Sequence, residues 1–219
     1  MPGREAVEHH LEVTKTARYW TLGDSSKAQE VWFVLHGYKQ LARRFLTRFR
    51  SIAGDQRLIV APEALSRFYA SEEPGRHGSA AVVGASWMTR EDRLAEIDDY
   101  VGYLDRVAKL VPELPVTVLG YSQGTATAAR WVTQGRVSAD RLVLWAGYVP
   151  PDLDFARAAE VFSHVELVLV RGDADPMLSD DLAERERAVL EGAGIEYRVV
   201  TYRGGHEVVP EALALVAGD

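Results

Sequence analysis

A serine hydroxyl is a poor nucleophile until geometry and a neighbouring base activate it. Gly120-Tyr121-Ser122-Gln123-Gly124 is the place in this chain where both are on offer. An apolar, β-branched run, Val116 to Leu119, precedes the pentapeptide, and small helix-tolerant residues beginning at Thr125 follow it. G-x-S-x-G between a strand and a helix holds a serine oxygen out on a sharp turn. Glycines at both ends let backbones approach closely, and the first amides of the following helix point at developing negative charge. Taken alone, the pentapeptide is also compatible with a glycine-rich turn in which Ser122 caps a helix. Acyl transfer also needs a base, an acid to orient it and an oxyanion hole.

Each has a candidate in a loop after a strand. The base is His206, in Tyr202-Arg203-Gly204-Gly205-His206-Glu207, where two glycines leave room around the ring. Its rivals are less well placed. His9 and His10 lie near the N-terminus, His77 lies in an irregular segment, and His164 precedes a strand rather than following one. His36 reads as a packed structural residue. The acid is Asp175, in Arg171-Gly172-Asp173-Ala174-Asp175-Pro176. It is preferred over Asp173, which is nearer the strand end and is expected to brace the turn. The oxyanion donors are the backbone amides of Gln123, which follows the nucleophile, and of Tyr38, in His36-Gly37-Tyr38-Lys39-Gln40. The chain order Ser, Asp, His is that of α/β-hydrolases rather than of chymotrypsin or subtilisin.

The elements that must hold these loops alternate along the chain. Strands are expected at Val31–Leu35, Leu58–Ala61, Val116–Leu119, Leu142–Trp145, Val165–Val170 and Tyr197–Tyr202. Helices are expected at Leu41–Ile52, from Thr89 to Pro112, and at Thr125–Gln134, Phe155–Phe162, Ser179–Glu191 and Pro210–Val216. In the second helix Leu94, Ile97, Val101, Leu104 and Leu110 recur at helical spacing, and Thr89 with Asp92 resembles a capping box. Glu12 to Gly23 is expected to supply an antiparallel edge strand or a hairpin, and Glu63 to Ser86 reads as irregular. Apolar strands alternating with helices imply an α/β fold: a mostly parallel sheet covered on both faces, with ligands outside the strands' carboxyl ends. Residues 1–219 read as one domain with no large cap, which leaves open whether the Glu63–Ser86 stretch forms a lid.

Composition narrows the chemistry further. The chain has no cysteine, which removes disulfides, thiolate metal sites and cysteine nucleophiles. A formal net charge of −7 argues against nucleic acid and anionic lipid as partners. No segment has the apolar length of a membrane span, and the N-terminal residues lack a leader's apolar core, so a cytoplasmic location is expected. The histidines have no zinc-ligand spacing; neither a metal nor a cofactor is expected. The partner is a small-molecule ester, and a homodimer is left open.

With these residues assembled, the chain resembles the phospholipase/carboxylesterase family of α/β-hydrolases, which includes acyl-protein thioesterases. The resemblance runs from about Val31 to the last helix. It rests on Leu35-His36-Gly37-Tyr38, Gly120 to Gly124, Gly172 to Pro176 and Gly204 to Glu207. It implies that the aspartate of G-x-x-D, Asp175, is catalytic, and that Ser86-Trp87 lies on a loop lining the cleft. Met88 to Arg93 depart from the thioesterase form and suggest a separate esterase branch. The expected activity is hydrolysis of small or short-chain carboxylic esters through an acyl-enzyme. The alternatives are a lysophospholipase or acyl-protein thioesterase, and an inactive binding module. Leu65, Phe68, Tyr69, Trp87 and Met88 are candidates for the acyl pocket, if the irregular stretch folds over the cleft; otherwise they are ordinary core.

Overall fold

The protein is described here by a computed structural model covering residues 6–70, 78 and 81–218. His77 lies outside the described residues. Seven strands form one sheet in the order β1 (Tyr19–Leu22), β3 (Arg57–Pro62), β2 (Glu30–Leu35), β6 (Val116–Tyr121), β7 (Arg141–Trp145), β8 (Glu166–Gly172) and β9 (Arg198–Tyr202). β1 pairs antiparallel with β3, and every other neighbour pair is parallel. The N-terminal segment therefore supplies an edge strand.

Both faces of the sheet are covered, which is why its strands read as unbroken apolar runs rather than alternating ones. Along β2, Val31, Phe33 and Leu35 point into one core, and Trp32 and Val34 into the other. The first core is closed by α2 (Arg93–Ala108), α3 (Gln123–Gln134), α4 (Phe155–Phe162) and α5 (Asp180–Gly192). The second is closed by α1 (Ala42–Leu46), the 3₁₀ turn Thr47–Phe49 and α6 (Pro210–Ala217). Helix starts have local causes. Asp154 accepts the Arg157 amide, Ser179 accepts the Leu182 amide, and Pro210 opens α6.

Three expectations are corrected. The helix over Leu41–Ile52 is only α1 followed by the 3₁₀ turn; the Thr47 hydroxyl bonds back to the Arg44 carbonyl, which competes with regular continuation. α2 begins at Arg93 rather than Thr89, with Asp92 left-handed (φ 46°) and making no side-chain cap. The preceding residues are already held elsewhere: the Trp87 amide and the Met88 carbonyl both bond the Gln123 side chain. The buried stripe of α2 is accordingly Ile97, Tyr100, Leu104 and Val107, while Leu94 and Leu110 face water. Finally, the stretch Glu63–Ser86 contains an antiparallel hairpin, β4 (Ser66–Tyr69) with β5 (Val83–Ser86). With no fully buried position in β4 and a glycine inside the four-residue β5, it gives no periodic apolar signal. No large helical cap stands between β3 and α2 among the described residues.

Candidate active site

β6 delivers Ser122 into a backbone conformation that serine rarely adopts, φ 53° and ψ −117°. The surroundings over-determine it. The Ser122 amide donates to the Trp145 carbonyl (2.9 Å), and its carbonyl accepts from the Thr125 amide and hydroxyl (3.0 and 2.7 Å). Ser122 occupies the N-cap position of α3, yet its hydroxyl makes no capping bond. That hydroxyl instead lies 2.9 Å from His206 Nε2.

The two motif glycines have a geometric cause. A Cβ on Gly120 would sit 2.1 Å from the Gly124 carbonyl oxygen, and one on Gly124 would sit 2.3 Å from that of Leu35. The turn, α3 and β2 cross backbone to backbone, so nothing flexible can yield. Gly124→Ala is therefore expected to destabilise the protein by about 2–3 kcal/mol, lowering Tm by about 5–10 °C. A melting curve unchanged within 1–2 °C would refute this packing argument.

β8 and β9 end side by side and present the other two groups. Asp175 is buried; its Oδ1 accepts the Met177 amide at 2.9 Å, and His206 Nδ1 lies 2.9 Å from Oδ2. Asp173 does something else: its carboxylate accepts the Gly204 amide (2.9 Å) and ties the two loops together. Gly172 is required where the strands end, since a Cβ there would meet the Gly204 carbonyl oxygen at 2.4 Å. From beneath, Tyr121 donates its hydroxyl to the His206 carbonyl (2.6 Å), while Trp145 donates to that of Glu207 (2.9 Å). Tyr202 bonds the same loop at Gly205 and Glu207. Burial pushes the Tyr121 phenol up to about 12, so it stays a donor throughout the physiological range.

The loop after β2 lies against the nucleophile. A Cβ on Gly37 would touch that of Ser122 at 3.1 Å. Neither the Tyr38 nor the Gln123 amide has a hydrogen-bond partner among the described residues, so both remain free to donate. β5 clamps this loop: the Lys39 amide donates to the Ala85 carbonyl and the Ala85 amide to that of Gln40.

His36 is a structural residue of the same loop, fully buried. Its Nε2 accepts the Ala64 amide (3.1 Å), which leaves Nδ1 to donate to the Gly37 carbonyl (2.8 Å). Burial, the largest influence, holds the imidazole below its ordinary value of 6.5. Between that lowered value and 6.5 the unfolded chain binds the proton and the folded one does not, so stability falls as pH drops through this window. Denaturant melts should become steeply less stable between pH 7 and 5, and His36→Gln should flatten that slope. An identical slope in the variant would remove His36 as the cause.

None of the five candidate pocket residues lines the cavity that contains Ser122 and His206. Trp87 is core, 2% exposed, and donates from its indole to the His36 carbonyl (2.8 Å). Phe68 stacks on the Tyr38 ring at 5.4 Å, Tyr69 is half exposed, and Leu65 is partly buried. Met88 packs against the core with Sδ 3.4 Å from Arg130. A cavity of about 400 Å³ opens at Ser122 and His206, walled by the segment 146–152 after β7, by Met177, and by Arg93 and Arg130. That segment is firmly placed. Ala146 is left-handed (φ 53°), a Cβ on Gly147 would collide with the Thr125 hydroxyl at 2.5 Å, and the Val149 amide donates to buried Glu186 (2.7 Å). Sequence reasoning passed over it, though the rule that sites lie beyond strand carboxyl ends applies to the residues after Trp145 as well. It also missed the Gln123 side chain, which accepts the Trp87 amide and donates to the Met88 carbonyl (3.1 and 2.9 Å), locking that segment to the nucleophile turn. Elsewhere, Glu8, His10 and Asp92 form an exposed cluster within 4.8 Å.

Comparison with known proteins agrees with this architecture. Solved structures similar to the chain include acyl-protein thioesterase 2 of Zea mays, 19% identical with a TM-score of 0.71, covering 93% of this chain and 97% of that one. A phospholipase/carboxylesterase from Dyadobacter fermentans is 16% identical with a TM-score of 0.61, at coverages of 94% and 97%. The Bacillus cereus carboxylesterase is 17% identical with a TM-score of 0.61, at coverages of 92% and 92%. These likenesses are ones of fold, and they identify it as the α/β-hydrolase fold. No curated protein matches. The sequence model of one family, described as serine hydrolase (FSH1), matches residues 27–216. With that match over most of its length, and with the fold to go with it, the chain belongs to the FSH1 serine hydrolase family of α/β-hydrolases.

Proposed function

We propose that the protein is a carboxylic ester hydrolase, one α/β-hydrolase domain acting through an acyl-enzyme on Ser122. The observation that carries this reading is the hydrogen-bonded series Ser122 Oγ, His206 Nε2, His206 Nδ1, Asp175, with 2.9 Å at both links. Ser122 attacks the ester carbonyl as His206 takes its proton. Asp175 holds the imidazole in the tautomer whose Nε2 accepts. The Tyr38 and Gln123 amides donate to the oxyanion, and His206 returns the proton to the departing alcohol. Water, deprotonated by His206, then releases the acid and restores Ser122. Each oxyanion donor is worth on the order of 10² to 10³ in rate.

Short acyl groups are the favoured substrates. The cavity at Ser122, about 400 Å³, lies toward the small end of ligand pockets, roughly 300–1,000 Å³. The test is fluorophosphonate labelling followed by a panel of p-nitrophenyl esters of increasing acyl length. Labelling at Ser122 and a maximum at short chains are expected. A maximum at long chains, with turnover of palmitoyl thioesters or lysophosphatidylcholine, would replace the substrate class. Folded protein that neither labels nor turns over would overturn the enzyme reading in favour of a binding module.

A further inference from the structure

Beyond the reacting groups, the cavity at Ser122 holds a small charged constellation that hydrolysis of a neutral ester does not use. Arg93, Arg130 and Asp152 all line it together with Ser122 and His206. Arg130 is 4% exposed and lies 2.7 Å from Asp152 Oδ1; Arg93 pairs with Oδ2 of the same carboxylate. Two guanidinium groups therefore share one anion, which leaves a net positive charge among walls made largely of Ala126, Ala146, Val149, Pro150 and Met177. An unbalanced charge beside apolar surface is costly and attracts a counter-ion.

The two arginines differ in what they have left to give. Arg130 also approaches the Tyr100 hydroxyl and Met88 Sδ, both at 3.4 Å, and its remaining buried Nε has no partner among the described residues. It is held rigidly. Arg93 is about one-third exposed, and Asp152 is its only ion-pair partner among the described residues. Most of its five N–H donors are therefore uncommitted, in a side chain that lines the cavity and reaches solvent. A guanidinium in that state matches a carboxylate in both charge and fork geometry.

We propose that Arg93, with Arg130 behind it, forms a subsite for an anionic group on the substrate, so that the preferred esters carry a carboxylate on a short linker from the scissile bond. This rests on the ester-hydrolase reading above. The carboxylate replaces water on Arg93, and the apolar wall receives the linker. The enzyme would then act after a reaction that esterifies one end of a small dicarboxylate, or that acylates a hydroxy acid.

Matched substrates test it, each carboxylate-bearing ester against its own methyl ester. p-Nitrophenyl hemiglutarate places the charge on the acyl side, and 4-acetoxyphenylacetate places it on the leaving-group side. In at least one pair the free carboxylate should have a kcat/KM higher on the order of tenfold, as expected for a charge-assisted bond at a partly exposed arginine. In Arg93→Gln that ratio should collapse towards one, whereas a merely structural Arg93 would lower both members together. Neutral esters turned over with ratios of one or less in both pairs would overturn the subsite and leave the esterase reading standing. So would a ratio unchanged in Arg93→Gln. If no ester at all is hydrolysed, it is the esterase reading that fails. Calorimetry with glutarate then decides the subsite: binding to the wild type that is weakened in Arg93→Gln supports it, and no binding at millimolar glutarate overturns it.

Discussion

Ser122→Ala should lower kcat for a p-nitrophenyl ester by about 10⁴- to 10⁶-fold, the range expected when the nucleophile of a Ser-His-Asp set is removed. The fold should survive the change. Among the described residues the serine hydroxyl makes one hydrogen bond, to His206 Nε2, and none of the bonds that shape the turn: those run through the Ser122 amide and carbonyl. The backbone strain at φ 53° is present with either side chain. Tm should therefore be unchanged or slightly higher, as when a site built for function rather than stability is relaxed. The measurement is a pair: steady-state turnover and a thermal melt on the same preparation. Full activity in a folded Ser122→Ala protein would end the acyl-enzyme mechanism. A collapse of Tm would mean that the hydroxyl has a structural role not visible in its contacts.

Asp175→Asn should lower kcat by about 10²- to 10⁴-fold with KM little changed, for a different physical reason. The Asp175 carboxylate meets His206 Nδ1 at 2.9 Å and requires that nitrogen to donate, which leaves Nε2 lone-paired and facing Ser122. An amide in its place can present its NH₂ to Nδ1. The imidazole would then carry its proton on Nε2, where it can no longer take one from the serine. The volume is nearly the same and the Met177 amide keeps an acceptor, so the loop stays in place. Asp173→Asn is the discriminating control. Asp173 accepts the Gly204 amide and touches neither His206 nor Ser122, so its loss should cost about 0.5–1.5 kcal/mol of stability and leave kcat within a few-fold. If the Asp173 variant proves the slower enzyme, the two aspartates have been assigned the wrong way round.

That two aspartates two residues apart differ so much shows where sequence reasoning has its reach. Distance from a strand end orders the candidates, and it set Asp173 at the turn and Asp175 beyond it. Which carboxylate points at an imidazole 31 residues further along depends on how β8 and β9 pair. The register Gly172↔Tyr202 makes that decision. The strands themselves were legible because both faces of the sheet are covered, so β-branched runs stand out against polar loops. The hairpin β4–β5 was not legible: β4 has no fully buried position, β5 is the short run Val83-Gly84-Ala85-Ser86, and neither carries a continuous β-branched run. The start of α2 was misjudged for a related reason. Local capping chemistry at Thr89 competes with bonds from Gln123, 34 residues away, and the distant partner prevails.

The pocket is the sharpest case. Leu65, Phe68, Tyr69, Trp87 and Met88 are candidates for an acyl wall or for ordinary core; none lines the cavity at Ser122, and Trp87 donates to the His36 carbonyl while Phe68 stacks on the Tyr38 ring. The cavity at Ser122 is walled instead by the segment 146–152, whose residues carry no motif. A motif can announce reacting atoms, because their chemistry restricts residue type and spacing along the chain. A cavity is the volume left when distant segments pack, and no local pattern encodes it. By itself, then, the amino-acid order determined the fold class, the serine turn and the loops that would bring it a base, an acid and two amide donors. Only the tertiary structure decided which residues wall the cavity at Ser122 and that two arginines share one aspartate there, because those depend on how β7, α2 and α3 pack around the same turn.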